Sequence, residues 1–245
     1  MRIHDPLSQD VLAALKRYDS PTLANAIETF DVRPRDVGFA GMDVRSMFPD
    51  LGVMVGYAAT ATIHARGRPQ EPPHEIFDSA GTPEDQGVDR SPRLWALVRS
   101  LPAPRVVVIQ DLDDPPGHGA FWGEVQSTIY KALGCAGTVT DGCVRDLREV
   151  REMGFQFFAR AACVSHAYVR LESVGEPVEI AGLTVRPGDL LHADQHGVLL
   201  IPKEIAAELP DAADRVIDRE QAFISWVRSP EFDADRLAEM RGIRH

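Results

Sequence analysis

The sequence predicts an α/β fold with a mainly parallel central layer and flanking helices. The main observation is the run between residues 105 and 160. There, short β-prone segments alternate with helical ones: "RVVVIQ", "EVQSTIYKALG", "AGTVTD", "LREVREMG" and "FQFFAR". A β-α-β-α-β run of this kind folds into parallel strands joined by crossover helices. A second observation agrees with it. Gly134 and Gly154 stand where each helix has to stop, and glycine is the usual residue just past a helix end.

The remaining elements follow in chain order. Ser8 reads as an N-cap, with Val11, Leu12 and Leu15 on one face of the helix behind it. Ser20-Pro21 reads as a cap and first-turn proline opening a second helix that carries Leu23, Ala24 and Ile27. Residues 52–63, "GVMVGYAATATI", are small and β-prone, which predicts a buried strand. Residues 64–93 are rich in proline, glycine and charge and read as a long excursion from the fold. In the helix at 124–134, Val125, Ile129, Ala132 and Leu133 are expected to face inward. After residue 160 come "PVEIAGLTV", a turn at "RPGD", "LLHAD", a turn at "QHG", and "VLLIP". A helical tail runs from Lys203, with breaks expected near Pro210 and Pro230. We read residues 1–245 as a single domain with an insertion at about 64–93 and a C-terminal helical tail from about 203.

Bulk properties narrow the function. The 245 residues suffice for a substantial core, and 44% hydrophobic with 26% charged is ordinary for a soluble globular chain. No apolar run approaches the length of a membrane span. The N-terminal "MRIHDPLSQD" has no signal-peptide apolar region, which predicts a cytoplasmic location. A net charge of −11 repels phosphate backbones and argues against nucleic acid as a partner. Cys135, Cys143 and Cys163 form no C-x-x-C pair. Such a sparse, odd set is expected to be buried thiols in a reducing compartment.

Candidate chemistry gathers at two strand-to-helix junctions. The first, "PPGHGAFWGEVQ" at 115–126, is glycine-rich. It fails the dinucleotide fingerprint, because after Gly117 and Gly119 the third glycine position falls on Trp122. A helix beginning near Gly123-Glu124 would still present free amides from residues 124 to 126 to an anion. The second junction, "GTVTDGCVRD" at 137–146, places Asp141, Arg145 and Asp146 at the end of a strand. Asp146 has two readings: an N-cap with Glu149 completing a capping box, or a ligand site. Asp141 with Arg145 could be a surface pair. Consecutive β-α units, however, put both helix starts on the same sheet edge, where open α/β proteins bind ligands. An arginine suits bidentate carboxylate recognition. A hard dication takes one or two carboxylates plus waters and substrate oxygens. Together these describe a site for a 2-oxo acid chelated to a metal. His192 and His196 lie in a strand-like segment, about 13 Å apart at strand rise, too far to share one zinc.

The stretch "WGE" before a helix, then "GTVTDGCVRD", then "VRPGDLLHADQHGVLLIP", resembles the RraA-like family, which includes 4-hydroxy-4-methyl-2-oxoglutarate / 4-carboxy-4-hydroxy-2-oxoadipate aldolases. The resemblance covers roughly 105–228, with a looser match at 20–63. It implies a swivelling-domain-like β/β/α sandwich, assembled as a homotrimer or homohexamer with active sites between subunits. It also implies a class II aldolase acting on a 4-hydroxy-2-oxo diacid with Mg²⁺ or Mn²⁺, and decarboxylating oxaloacetate as a side activity. Gly123, Glu124, Val125 and Gln126 match the substrate-binding loop, with the amides of Val125 and Gln126 on the pyruvate carboxylate. Arg145 matches the substrate-binding and catalytic arginine, and Asp146 the metal ligand. Glu124 and Glu220 match carboxylates that hold the metal through water, Glu220 from a neighbouring subunit. Gln195-His196 stands where the family more often has a second acidic residue. The family also contains a regulator that inhibits a ribonuclease by protein contact, the alternative to an enzyme.

Overall fold

The structure, a computed structural model, describes residues 6–67 and 90–240. Most of the predicted 64–93 excursion, residues 68–89, lies outside the described residues. In chain order the elements are α1 (Gln9–Leu15), α2 (Ser20–Glu28), β1 (Arg45–Ser46), β2 (Met54–His64), α3 (Ser91–Ser100), β3 (Arg105–Asp111), α4 (Glu124–Ala132), β4 (Cys135–Thr140), β5 (Cys143–Val144), α5 (Leu147–Glu152), β6 (Gln156–Ala159), β7 (Ala161–Ala162), β8 (Arg170–Val174), β9 (Val178–Ile180), β10 (Leu183–Val185), β11 (Leu190–Asp194), β12 (Gly197–Ile201), α6 (Leu209–Arg228) and α7 (Ala234–Met240).

The main sheet runs β1-β6-β4-β3-β2-β11-β12, with β8 also pairing β2. Its centre, β6-β4-β3-β2, is parallel, as the alternating pattern predicts. The flanking strands are antiparallel. Side chains alternate across this sheet with period two. Val107, Ile109, Phe157 and Ala159 join the core under the helices, while Val106, Val108 and Phe158 join a second core on the opposite face. That second core is covered by the β9–β10 hairpin through Val178, Ile180, Leu183 and Val185. The layers are therefore hairpin, sheet and helices, a β/β/α sandwich. β2 is buried along its whole length except at His64, which suits a central strand covered on both faces.

Several local expectations change. The cap of α2 is Asp19, whose carboxylate accepts from the Thr22 amide at 2.9 Å. Ser20 lies inside the first turn, and its hydroxyl goes to His192 instead, at 3.0 Å. Residues 91–93, read as part of the excursion, belong instead to α3, which Ser91-Pro92 opens and whose Leu94 and Val98 reach the core. Pro210 starts α6 rather than interrupting a helix, since a first-turn proline has no backbone bond to lose. The break near Pro230 is present, between α6 and α7. On α4 the inward face is Ser127 and Tyr130, with Ile129 and Leu133 flanking it, while Val125 and Ala132 are exposed. The helix is turned this way because Tyr130 packs with Phe121 and Trp122, at ring-centroid distances of 6.4 and 5.0 Å.

Candidate functional site

Because β3 and β4 are parallel neighbours, their C-terminal ends share an edge, with Ile109 opposite Thr140. From that edge one chain segment returns to α4 and the next to α5. An isolated parallel bridge joins Trp122 to Val144, and the Arg145 amide donates to the Trp122 carbonyl at 3.0 Å. Gly123-Glu124 is thereby laid alongside Arg145-Asp146. The register is anchored in the core: Trp122 is 1% exposed and packs on Tyr130 and Phe155 at 5.0 and 5.6 Å.

Asp146 occupies the N-cap position of α5 but makes no side-chain bond to that helix. Its φ of 55° and ψ of 44° are left-handed, whereas a capping residue needs extended torsions. The capping-box reading with Glu149 is therefore corrected. The carboxylate crosses to the neighbouring helix, where Oδ2 accepts from the Glu124 amide at 2.9 Å. Arg145 Nε lies 3.8 Å from the same oxygen, and both side chains are about one-third exposed. Gly123 sits directly beneath them. A Cβ there would lie 2.5 Å from Asp146 Oδ2 and 3.0 Å from Arg145 Nε, so only glycine admits both side chains in this position.

At the start of α4, the Glu124 amide is taken by Asp146, while those of Val125 and Gln126 have no acceptor among the described residues. Val125 is 47% exposed, and the buried Oε1 of Gln126 has no partner among the described residues. Two amides, a guanidinium and a carboxylate thus meet at one helix start. Such a set can hold an anion and share a hard cation with it.

Asp141 does not pair with Arg145. Its Oδ1 accepts from the Asp111 amide at 2.8 Å. Burial, added to by the charge of Asp111, pushes its carboxyl up to about 6. Asp111 in turn accepts from the Asp113 and Gly117 amides at 3.0 and 2.7 Å. Asp113 accepts from the Ala65 and Arg66 amides and meets His64 Nδ1 at 3.0 Å. These carboxylates pin the glycine-rich loop that delivers Gly123. Sequence reading missed Asp111 and Asp113. The available signal was an acidic residue at a strand end just before a Pro-Gly-rich loop.

The cysteine expectation is also corrected. Cys143 and Cys163 are joined by a disulfide with a Cα–Cα separation of 5.9 Å, within the usual range. Only Cys135 is a free buried thiol, and burial pushes it up to about 12. The pairing was not visible because β5 and β7 bring together residues 20 positions apart.

His192 is fully buried on β11. Its Nε2 donates to the Tyr18 carbonyl at 3.1 Å, which leaves Nδ1 to accept from Ser20. His196 instead faces Asp194. Glu220 lies on α6, where its Oε1 accepts from Asn25 at 3.1 Å rather than bonding to Arg145. It borders a cleft of about 740 Å³ lined with Phe223, Ile224, Trp226 and Met240. That cleft is lined mainly by carbon, so the site is placed by its chemistry instead. Among the described residues no group of three His, Cys, Asp or Glu side chains is disposed to hold a metal. What fits is a dication needing few protein ligands. Asp146 Oδ1 makes no hydrogen bond within the described residues, and Glu124, whose amide Asp146 Oδ2 holds, is exposed.

Comparison with known proteins adds to this geometry. The RraA-like family, described as aldolase/RraA, matches residues 21–200. An uncharacterised protein of Methanocaldococcus jannaschii is 33% identical over 118 residues, 48% of this chain and 57% of that one. A 4-hydroxy-4-methyl-2-oxoglutarate aldolase of Thermus thermophilus is 40% identical over 73 residues, 29% of this chain and 43% of that enzyme. The chain thus spans about half the length of these curated relatives. Among solved structures, an uncharacterised protein of Pseudomonas syringae pv. tomato superposes with a TM-score of 0.68 at 23% identity, covering 98% of this chain and 97% of that one. A Streptomyces coelicolor protein, described as an unusual member of the RNase ES inhibitor RraA protein family, gives 0.64 at 23% identity, covering 89% and 97%. At that identity the structural likenesses speak for the fold.

Proposed function

The chain belongs to the RraA-like family, and from that premise we propose that it is a divalent-metal-dependent class II aldolase. Its substrate is a 4-hydroxy-2-oxo diacid, cleaved to pyruvate and a second carbonyl compound, and it decarboxylates oxaloacetate on the side. The observation that supports this best is the convergence over Gly123: Arg145 and Asp146 stand against the first turn of α4.

The residues take the following roles. The amides of Val125 and Gln126 bind the carboxylate next to the 2-oxo group, aided by the positive end of the α4 dipole. Gly123 lets that carboxylate approach the backbone. Asp146, with Glu124 and Glu220 of the partner subunit through water, would hold Mg²⁺ or Mn²⁺. That cation supplies Lewis-acid polarisation of the 2-oxo group. Arg145 faces the same oxygen and stabilises the negative charge that grows there as the C3–C4 bond breaks. In that step the C4 hydroxyl gives up its proton through a water held by Glu124, and C4 becomes a carbonyl carbon. The C3–C4 electron pair moves into the pyruvate enolate, which is then protonated at C3. Loss of CO₂ from oxaloacetate leaves the same enolate, hence the side activity.

The test is oxaloacetate decarboxylation and cleavage of 4-hydroxy-2-oxo diacids with Mg²⁺ or Mn²⁺. Asp146→Asn retains an oxygen for the Glu124 amide but loses the charge that holds a hard dication. Arg145→Lys replaces a planar fork by a point charge. Each is expected to keep its melting temperature and to lose turnover by about 10²-fold or more. EDTA should abolish the wild-type rate. Wild-type rates in both variants, or no metal-dependent turnover at all, would overturn the aldolase reading in favour of a protein-binding regulator.

A further inference from the structure

The disulfide has no role in the chemistry above, yet it lies close to the residues that do. Cys143 is 3% exposed and is separated from Arg145 only by Val144. It begins β5, which pairs in parallel with β7 through Cys143–Ala161 and Val144–Ala162. The Cys163 amide donates to the Val144 carbonyl at 2.9 Å, and the Arg160 amide to the Gly142 carbonyl at 3.1 Å. On the other side, Val144 bridges to Trp122, and Arg145 hangs its amide on the Trp122 carbonyl. β5 is thus a two-residue strand held between the start of α4 and the segment at 161–163. The cross-link joins positions 20 apart in sequence and encloses Arg145, Asp146, α5 and β6. Apart from it, the outer side of β5 is held by backbone bonds to a partner strand whose residues are exposed.

We propose that Cys143 and Cys163 form a reversible redox lock on the aldolase site, an inference that rests on the function proposed above. When the bond is closed, β5 is fixed and Arg145 and Asp146 stay registered against Gly123. When it is open, β7 and β5 separate more readily and the register loosens. The partly exposed Cys163 starts the exchange. Its thiolate attacks a low-molecular-weight disulfide, forms a mixed disulfide and releases one thiol. The Cys143 thiolate then attacks the Cys163 sulfur and releases the second. Two protein thiols are oxidised and one external disulfide is reduced to two thiols, so electrons and protons balance.

The experiment uses the full chain, equilibrated in glutathione buffers from fully reduced to fully oxidised. Thiols are counted after denaturation, and hydrogen exchange is followed at residues 143–146. Oxaloacetate decarboxylation is measured with saturating Mg²⁺. The expected count is one thiol when oxidised and three when reduced, since the chain has three cysteines. Amide exchange at Val144 and Arg145 should accelerate on reduction, and kcat/KM should fall by roughly fivefold or more. Cys163→Ser should behave as the reduced wild type in both buffers. Three thiols in every buffer overturn the lock, and so does unchanged exchange and turnover once the bond is shown to open. If no state turns over oxaloacetate, the aldolase reading has failed, and hydrogen exchange alone decides the lock.

Discussion

Gly123 carries the tightest constraint in the candidate site. Its backbone lies under two side chains from a different segment, and the atom nearest to a methyl group placed there would be a carboxylate oxygen at 2.5 Å. Asp146 cannot retreat freely, because Oδ2 is bonded to the amide of the next residue, Glu124. Gly123→Ala should therefore push Asp146 and Arg145 off the start of α4 while leaving the core beneath it intact. We expect oxaloacetate turnover to drop by about 10²-fold, the usual result of a misplacement near 1 Å, with little change in melting temperature. Steady-state kinetics beside a thermal melt would check this, and an Ala variant with wild-type kcat would remove the cradle from the mechanism. The types of residue at this site were legible in the sequence. Their contacts were not. The Asp146–Glu124 bond spans 22 positions, and the left-handed torsion of Asp146 that permits it has no glycine to announce it.

At the scale of elements, the β-α-β-α-β run could be read from hydrophobicity because each strand is buried on both faces and each helix ends on glycine. Reading failed where polar residues face inward. On α4, Ile129 and Leu133 do pack against the core, but Ser127 is buried while Val125 and Ala132 are exposed, so hydrophobic spacing placed half of the inward face. α3 was missed because its start adjoins a proline- and charge-rich stretch. The link between the β3 and β4 ends was likewise hidden, since it depends on Asp141 accepting from the Asp111 amide. That link has a pH signature. Burial raises the Asp141 carboxyl to about 6 from the ordinary 3.8. A group whose folded pKa is raised favours the folded state in full below its unfolded pKa, and that contribution is lost as pH rises through the folded value. Stability from this residue should therefore decline between about pH 4 and pH 6. Asp141→Asn keeps an oxygen for the Asp111 amide and has nothing to ionise. Its stability relative to wild type should rise across that window, by on the order of 2 kcal/mol. Urea titrations at pH 4 and pH 7 measure this difference, and a pH-independent gap between the two proteins would show that Asp141 is not held protonated.

Among the described residues, a set of apolar side chains stays exposed. α6 runs 20 residues, but its buried positions end at Val216. Beyond them Val227 and Phe232 are 37% and 39% exposed, and Met240 on α7 is 62% exposed. Around the candidate site Val125 is 47% and Val164 98% exposed. Extended apolar surface of this kind marks an interaction face. Glu220 lies on α6 beyond its last buried position, Val216, and accepts from Asn25, and in the proposed shared site it serves a neighbouring subunit's metal. Light scattering should then report a trimer or a dimer of trimers. A stronger check mixes two dead variants. Asp146→Asn and Glu220→Gln should each be inactive alone if both carboxylates are needed. Unfolded together in equal amounts and refolded, they form rings in which some sites draw Asp146 from one subunit and Glu220 from the next, both intact. For random assembly with each site shared by two subunits, about one quarter of sites are complete, and activity should return to about that fraction. Separately refolded variants mixed afterwards should stay inactive if rings do not exchange subunits. An active monomer, or a mixture as inactive as its components, would confine the site to one chain and leave the apolar arm to some other partner.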